Sequence, residues 1–424
     1  MISFLNIKDR LFYGWVIVIA ALIIGTLTFG TRNAFGVFFK SLEGEFGLSR
    51  AMTSGILSIH LIVGTVFIII GGWALDKYGP RILTFLMGLF TGFSLILTSQ
   101  ASSPWQIYMS YSLLLSLGAG PAYAVLMATV SRWFNKKRGL AMGIASIGGP
   151  FGQIALAPLA TYFILNFGWR TAFLVVGVIA GLTVMSLSLL LRKDPGNIGT
   201  LPDGDRAKSG ETTMLEDGQK ISRPPDNFSI RQLISMRVYW FLWLTGLFQG
   251  FCLFLVFTHI VPYVIDMGMS AMSAAAVLSL MAGISILGRL IAGFISDRIG
   301  SGITSIFCAS VMAVALLWLI WSHNIWMFYL FALVYGFAYG GLNPVILTLI
   351  ADIFGTTNIG VIMGTLSVGF ALGSAIGPFI GGFVFDINSS YSAAFALGAI
   401  LMLLGAFFLV FVKRIMNPSP SQLA

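Results

Sequence analysis

Apolar runs of roughly 20 residues recur along almost the whole chain, each long enough to cross the roughly 30 Å hydrocarbon core of a bilayer as a helix. They fall at about residues 13–39, 51–75, 82–100, 105–130, 140–166 and 169–191, and again at about 238–264, 271–295, 302–321, 325–350, 360–385 and 392–412. A backbone in hydrocarbon must satisfy its own hydrogen bonds, which helices of this length do within themselves. The expected fold is therefore an all-α membrane protein with twelve transmembrane helices in two sets of six, residues 1–191 and 238–424. Residues 192–237 between them are rich in Asp, Lys, Pro and Ser and read as a polar linker, with a short amphipathic helix around 228–234. With 57% hydrophobic and only 9% charged residues, a soluble protein is excluded. The first run continues to Phe39 without a small-residue cleavage site, so it reads as a spanning helix and not as a signal peptide.

The net charge of +9 comes from basic residues in the connections between runs, so it points to membrane topology and not to a nucleic-acid partner. Lys40, Arg50 and Arg170 fall on one side, Arg32 and Arg289 inside runs, and the other Lys and Arg residues on the side that carries both termini. By the positive-inside rule both termini are expected in the cytoplasm, in a multi-pass protein of the cell (inner) membrane. Trp105, Trp169, Trp240, Trp321 and Trp326 stand at run ends, as interfacial anchors do. Cys252 and Cys308 lie inside runs, away from any metal-ligand cluster, so neither a disulfide, a metal nor a cofactor is expected. No pairing of nucleophile with base and no nucleotide loop stands out, which argues against an enzyme.

The two sets of runs repeat one another. Gly72, Asp76 and Gly79 recur as Gly293, Asp297 and Gly300, displaced by 221 residues. The same displacement carries Gly139, Met142, Gly143, Ser146, Gly148 and Gly152 onto Gly360, Met363, Gly364, Ser367, Gly369 and Gly373. Parallel repeats of this kind place a substrate site near the midplane between them. The spaced glycines permit close helix packing, and they also offer a smooth surface for one half to rock against the other.

Within the run LMAGISILGRLIAGFISDRIG, Arg289 stands eight residues before Asp297, roughly 12 Å in from the polar boundary on a helix. Arginine does not discard its proton, so an intramembrane arginine marks a candidate site with an anionic partner. Its planar fork suits a carboxylate bidentately. A structural arginine tied to backbone carbonyls is the other reading. Tyr335, Tyr339 and Asn343 follow at spacings of four, on one helical face beside Pro344, and Tyr123 after GAGPAY is their counterpart in the first half. All four are candidate substrate ligands, or bonds to neighbouring helices. Arg32 and Asn33 are expected near the outer mouth, Asn33 as a further candidate substrate ligand and Arg32 snorkelling or attracting anions. His60 and His259 lie within runs, as neutral core groups or proton carriers, and Asp266 lies near an outer end.

The stretch GGWALDKYGPR resembles the signature of the major facilitator superfamily, with a weaker copy in GFISDRIG. YGWVIVIAALIIGTLTFGTRNAFGVFFKSLEGEFG and RWFNKKRGLAMGIASIGGPFGQIALAPL resemble the first- and fifth-helix motifs of its monocarboxylate transporter family. That resemblance implies alternating-access transport of a small monocarboxylate such as lactate or pyruvate, together with a proton, by a monomer in the bilayer. It implies that Arg289 holds the carboxylate and that Asp76, with Arg81 and Asp297 of the paired motifs, gates the cytoplasmic face. Two positions depart from the family. Asn33 stands where many animal members have a lysine, and Ser285 stands where they have an aspartate four residues before the arginine. Asp266, His259 and His60 are then the candidates for the proton. Oxalate exchangers of the superfamily add a lysine where this chain has Phe370, so a single deep cation, Arg289, favours a monoanion; exchange of organic anions such as oxalate and formate is the alternative.

Overall fold

The computed structural model describes residues 12–134, 137–195, 230–354 and 359–416. They form ten helices long and apolar enough to cross a membrane: α1 (Tyr13–Phe46), α2 (Arg50–Ser99), α3 (Pro104–Trp133), α4 (Arg138–Ser188), α5 (Arg237–Asp266), α6 (Ala271–Ile299), α7 (Ser301–Ile320), α8 (Ile325–Phe354), α9 (Ile362–Asn388) and α10 (Ser392–Ile415). Most of the expected linker lies outside the described residues. Its amphipathic segment appears as a short helix, Ile230–Ser235, with Leu233 buried.

Two of the ten are too long for a single crossing. The 50 residues of α2 would extend roughly 75 Å if straight. They do not run straight, because Gly79 sits at φ 79°, ψ 168° and Pro80 follows it; only glycine adopts that backbone without strain. In α4 the same break falls at Gly168, φ 82°, ψ 161°. Both coincide with gaps between the apolar runs of the sequence. Helix α3 is irregular in another way, with π-helical turns over Tyr108–Leu114, a form that concentrates at functional positions.

The helices pack in two groups. In the first, α4 lies against α1 and α2, and α3 against α2; in the second, α5 packs on α9 and α10, α6 on α8, and α7 on α8 and α10. Three seams join the groups: α2 with α9, α4 with α6, and the end of α1 with α5. Glycine fixes the tightest contacts. A Cβ on Gly152 would overlap the Thr26 carbonyl and Gly30 of α1, and one on Gly373 would overlap the Leu247 carbonyl of α5. Gly336 and Gly340 let α8 meet Met281 and Ser285 of α6 backbone to backbone. Of the two uses expected for the spaced glycines, close packing is what these positions show, and it lies within each group. Gly139, Gly143 and Gly364 have open space around them.

One end of the bundle carries Tyr13, Asp76, Trp133, Leu190, Arg192 and Lys193. The Tyr13 hydroxyl donates to the Leu190 carbonyl, Trp133 to the Arg192 carbonyl, and Lys193 to the Asp76 carbonyl. This end is the terminal face, and the end carrying Glu43, Arg50, Arg170, Asp266 and Asp386 is the opposite face. Trp105, Trp240, Trp321 and Trp326 are exposed at helix ends as anchors would be. Trp169 differs from that expectation. It is buried, edge-on to Phe46 and Phe173, with the Arg170 guanidinium 4.3 Å over its ring.

Because α1 and α4 have no room for a side chain at Gly152, Gly152→Leu is expected to destabilise the protein by about 1–3 kcal/mol. Gly139→Ala, in open space, is expected to be neutral or slightly stabilising. Thermal unfolding of the two variants in detergent checks the contrast; equal midpoints would contradict the packing argument.

Candidate substrate site

Arg289 lies on a face of α6 that also carries Leu278, Ala282, Ser285 and Ala292, all buried. The outward face carries Leu287, Ile291 and Phe294, all exposed. The arginine therefore points inward, toward the space between the two groups of helices. Its Nε is enclosed yet has no hydrogen-bond partner, and among the described residues no carboxylate pairs with it. Ser285, which stands where an acid was expected, bonds back to the Ala282 carbonyl at 2.7 Å. The reading of Arg289 as a purely structural residue required bonds to backbone carbonyls, and at Nε there is none.

Around this charge, α8 presents the predicted stripe. The Tyr339 phenol is buried, next to Gly340, which abuts Ser285 of α6. Asn343 accepts a hydrogen bond from Gln249 of α5 at 3.0 Å and donates to the Tyr339 carbonyl at 3.2 Å. Tyr335 is fully enclosed, its ring stacked on Phe331 and its hydroxyl without a partner. Tyr123 on α3 is 54% exposed and leans on Phe29 of α1 with ring centroids 6.3 Å apart. Arg289, Tyr339 and Asn343 are thus brought together, whereas Tyr123 stands apart on the other group.

Arg32 is not at the outer mouth. Its guanidinium lies 5.4 Å from the Phe29 ring and 5.5 Å from the Phe254 ring of α5, and its charge reaches Tyr111 and His60. Its Nε donates to Asn33 Oδ1 at 3.2 Å, which leaves Asn33 occupied by its neighbour. The kink of α1 at Ala34 turns this segment inward, so the count of one deep cation becomes two. His60 stays near this arginine, held by Ser116 Oγ at 2.9 Å.

The opposite face is closed by polar contacts that cross between the groups. Arg50 at the start of α2 pairs with Asp266 of α5 at 2.5 Å and with Glu43 at 3.0 Å; Lys40 reaches the same Asp266 at 2.7 Å. Asp386 of α9 accepts the backbone N–H groups of Arg50 at 2.8 Å and Ala51 at 2.9 Å, the favourable place for a carboxylate at a helix N-terminus. Arg50 also donates to the Tyr391 hydroxyl at 2.7 Å and lies 3.6 Å over the Phe385 ring. His259 continues this chain, with Nδ1 3.1 Å from that hydroxyl and Nε2 2.8 Å from the Pro378 carbonyl. With Nε2 as donor and Nδ1 as acceptor, every bond is satisfied by a neutral ring. Asp266 and His259 therefore belong to a closure at this face and not to the surroundings of Arg289.

Toward the terminal face the groups part. Ser279 and Gly283 of α6 meet Ile154 of α4, the serine donating to its carbonyl at 3.4 Å. Two turns further along the same side of α6, Leu290 is 66% exposed. Asp76 pairs at 2.7 Å with Arg132 at the end of α3. Arg81 and Asp297 are exposed on this face.

Three participants escaped the sequence reading. Gln153 of α4 is buried with both ends of its amide unpaired, Gln249 ties α5 to Asn343, and Arg50 is a buried closure residue where a loop cation was expected. An amide inside an apolar run was the available signal for the two glutamines.

The profile of the Major Facilitator Superfamily matches residues 21–306 and 287–423. Monocarboxylate transporter 13 of Rattus norvegicus is 27% identical over 400 residues, covering 94% of this chain and 88% of that protein. Monocarboxylate transporter 11 of Homo sapiens is 25% identical over 412 residues, covering 95% and 83%. Among solved structures, a D-xylose–proton symporter superimposes with a TM-score of 0.74 at 17% identity, covering 94% of this chain and 97% of that one. An inward-facing, occupied bacterial homologue of the human lysosomal transporter Spinster gives 0.72 at 16% identity, covering 96% and 99%; at such identities both speak for the fold alone. The chain therefore belongs to the major facilitator superfamily, with its monocarboxylate transporters, and is a multi-pass membrane transporter rather than an enzyme.

Proposed function

We propose that this protein carries small monocarboxylates of the lactate and pyruvate type by alternating access, in symport with a proton. Helices α2 and α4 each cross twice, which makes twelve crossings in two six-helix bundles, 1–191 and 238–424, joined by the linker 192–237. The terminal face is the cytoplasmic face of the cell membrane, following the Lys and Arg asymmetry. The arrangement, closed around Arg50 and parted beside Leu290, is the inward-open state of a monomeric carrier. Asp76, Arg81 and Asp297 then lie on the open face, available to its closure when the bundle rocks.

The observation that carries this reading is the enclosed, unpartnered Nε of Arg289. A guanidinium there offers a carboxylate two parallel charge-assisted bonds, and Tyr339 and the remaining donor of Asn343 stand beside it for a hydroxyl or keto oxygen. The names of the relatives support a carboxylate as cargo. For the proton, Asp266 is the acid whose neutralisation would release both Arg50 and Lys40 and so loosen the outer closure; His259 shares that network, while His60 is held near Arg32. Anion exchange is the second reading, favoured by Ser285 at the position beside Arg289 where an acid would carry the proton.

Arg289→Ala and Arg289→Lys are expected to lower uptake of labelled L-lactate, pyruvate or acetate into proteoliposomes at least 100-fold while the protein still inserts. Retained uptake would defeat the assignment. An inward proton gradient is expected to stimulate wild-type uptake; indifference to the gradient combined with stimulation by internal anion would establish exchange instead.

Asp266→Asn removes the carboxylate shared by Lys40 and Arg50, so the outer closure is expected to loosen. In a background carrying Tyr123→Cys, labelling by a membrane-impermeant thiol reagent from the terminal face is expected to fall severalfold, because fewer molecules rest open to that side. Unchanged labelling would show that Asp266 does not hold the closure.

A further inference from the structure

The reading of Arg289 as a carboxylate ligand leaves Arg32 unexplained. It is a second guanidinium in the interior, contributed by the other group of helices. Aromatic rings and one amide surround it, and among the described residues no carboxylate pairs with it. Neither arginine can shed its charge, and an uncompensated charge in a low-dielectric interior is costly. Both face the same inter-bundle space from opposite walls.

Their separation along the bundle follows from the contacts. Gly340 of α8 abuts Ser285 of α6, so Asn343 and Arg289, three and four residues further along two parallel helices, stand at nearly one level. Gln249 of α5 bonds to Asn343 and shares that level. Phe254, five residues along α5, is displaced by roughly 7.5 Å toward the opposite face. Arg32 lies over Phe254, while Phe254, Phe257 and Tyr339 form a chain of ring contacts leading back toward Arg289. The two cations thus sit at either end of one aromatic wall.

The geometry points to a second anion subsite at Arg32 which, resting on the Arg289 carboxylate site proposed above, extends it so that the monocarboxylate carrier also takes a short dicarboxylate, one carboxylate on each guanidinium and the carbon chain along Phe254 and Phe257. A monocarboxylate on Arg289 leaves Arg32 uncompensated; a dianion compensates both. The flat rings between them provide an apolar surface for the carbon chain, and Phe254 lies 5.5 Å from the Arg32 guanidinium.

The test uses the purified full-length carrier in nanodiscs, with thermal unfolding followed during titration with malonate, succinate, acetate and L-lactate, since a ligand of the folded state raises the unfolding temperature. Wild type is expected to bind succinate at least tenfold more tightly than L-lactate, with one succinate per chain. Arg32→Gln is expected to lower the succinate-to-lactate affinity ratio at least tenfold, Arg32→Lys to keep most of it, and Arg289→Gln to remove binding of both. Equal wild-type affinities for succinate and L-lactate, or a uniform loss of both affinities in Arg32→Gln, would overturn the second subsite. If Arg32→Gln does not fold, the wild-type preference and its retention in Arg32→Lys decide the matter. If Arg289→Gln keeps lactate binding while Arg32→Gln loses the succinate preference, the failure belongs to the Arg289 reading and the Arg32 subsite stands.

Discussion

A guanidinium keeps its proton under every condition a membrane carrier meets, so the interior of this protein contains fixed positive charge whether or not cargo is present. The fold holds that charge by rigidity. Gly336 and Gly340 bring α8 onto the backbone of α6, which fixes the azimuth of Arg289 relative to Tyr339 and Asn343. On the other side Gly30 and Gly152 join α1 to α4, which fixes Arg32 just beyond. Each arginine is anchored to its own group of helices, and the anchoring contacts do not cross the seam.

That division matters because the seams are what an alternating carrier must break and remake. The contacts that cross at the opposite face include ion pairs and caps, Arg50 and Lys40 on Asp266 and Asp386 on the first N–H groups of α2, beside close approaches of Gly382 to the Arg50 carbonyl and of Gly36 to the Phe257 carbonyl. Glycine contacts inside each group involve backbone collisions that no rotamer change relieves, whereas the crossing ion pairs exchange readily for water as the face opens. The closure also brings apolar rings across the seam, with Arg50 over Phe385 and Phe39 edge-on to His259. Its breaking therefore exposes apolar surface as well as charge, which gives this face a definite closed state.

Much of this was legible in the sequence, because hydropathy along a chain reports depth in the bilayer. The apolar runs, the stripe of Tyr339 and Asn343, and the repeated motifs around Asp76 and Asp297 all follow from spacing. What spacing does not report is azimuth and bending. Arg32 was placed by counting residues from a run boundary as if α1 were straight and its face irrelevant; the kink at Ala34 and the rings of Phe29 and Phe254 put it inside. Arg50 read as a loop cation because the residues that bury it, Asp266, Phe385 and Tyr391, are hundreds of positions away. Trp169 read as an anchor on the same one-dimensional ground. Gln153 carried a signal, an amide in an apolar run, whose meaning depends on partners only three dimensions supply.

The relocation of Arg32 also bears on coupling. An empty carrier that reorients must close its chamber around two cations with no anion between them, and the desolvation cost of that step falls on the return half of the cycle. Cargo that neutralises both charges removes the cost, and so favours crossing in the loaded state in either direction. Symport needs the empty return to be fast, and among the described residues the acids of the outer closure, Glu43, Asp266 and Asp386, sit away from Arg32 and Arg289. In the proposed cycle the ion pairs of Asp266 belong to the lock, while anion binding acts on the chamber. The balance between symport and exchange in this fold is then set by which is larger: the charge left in the empty chamber, or the hold of Asp266 on Arg50 and Lys40.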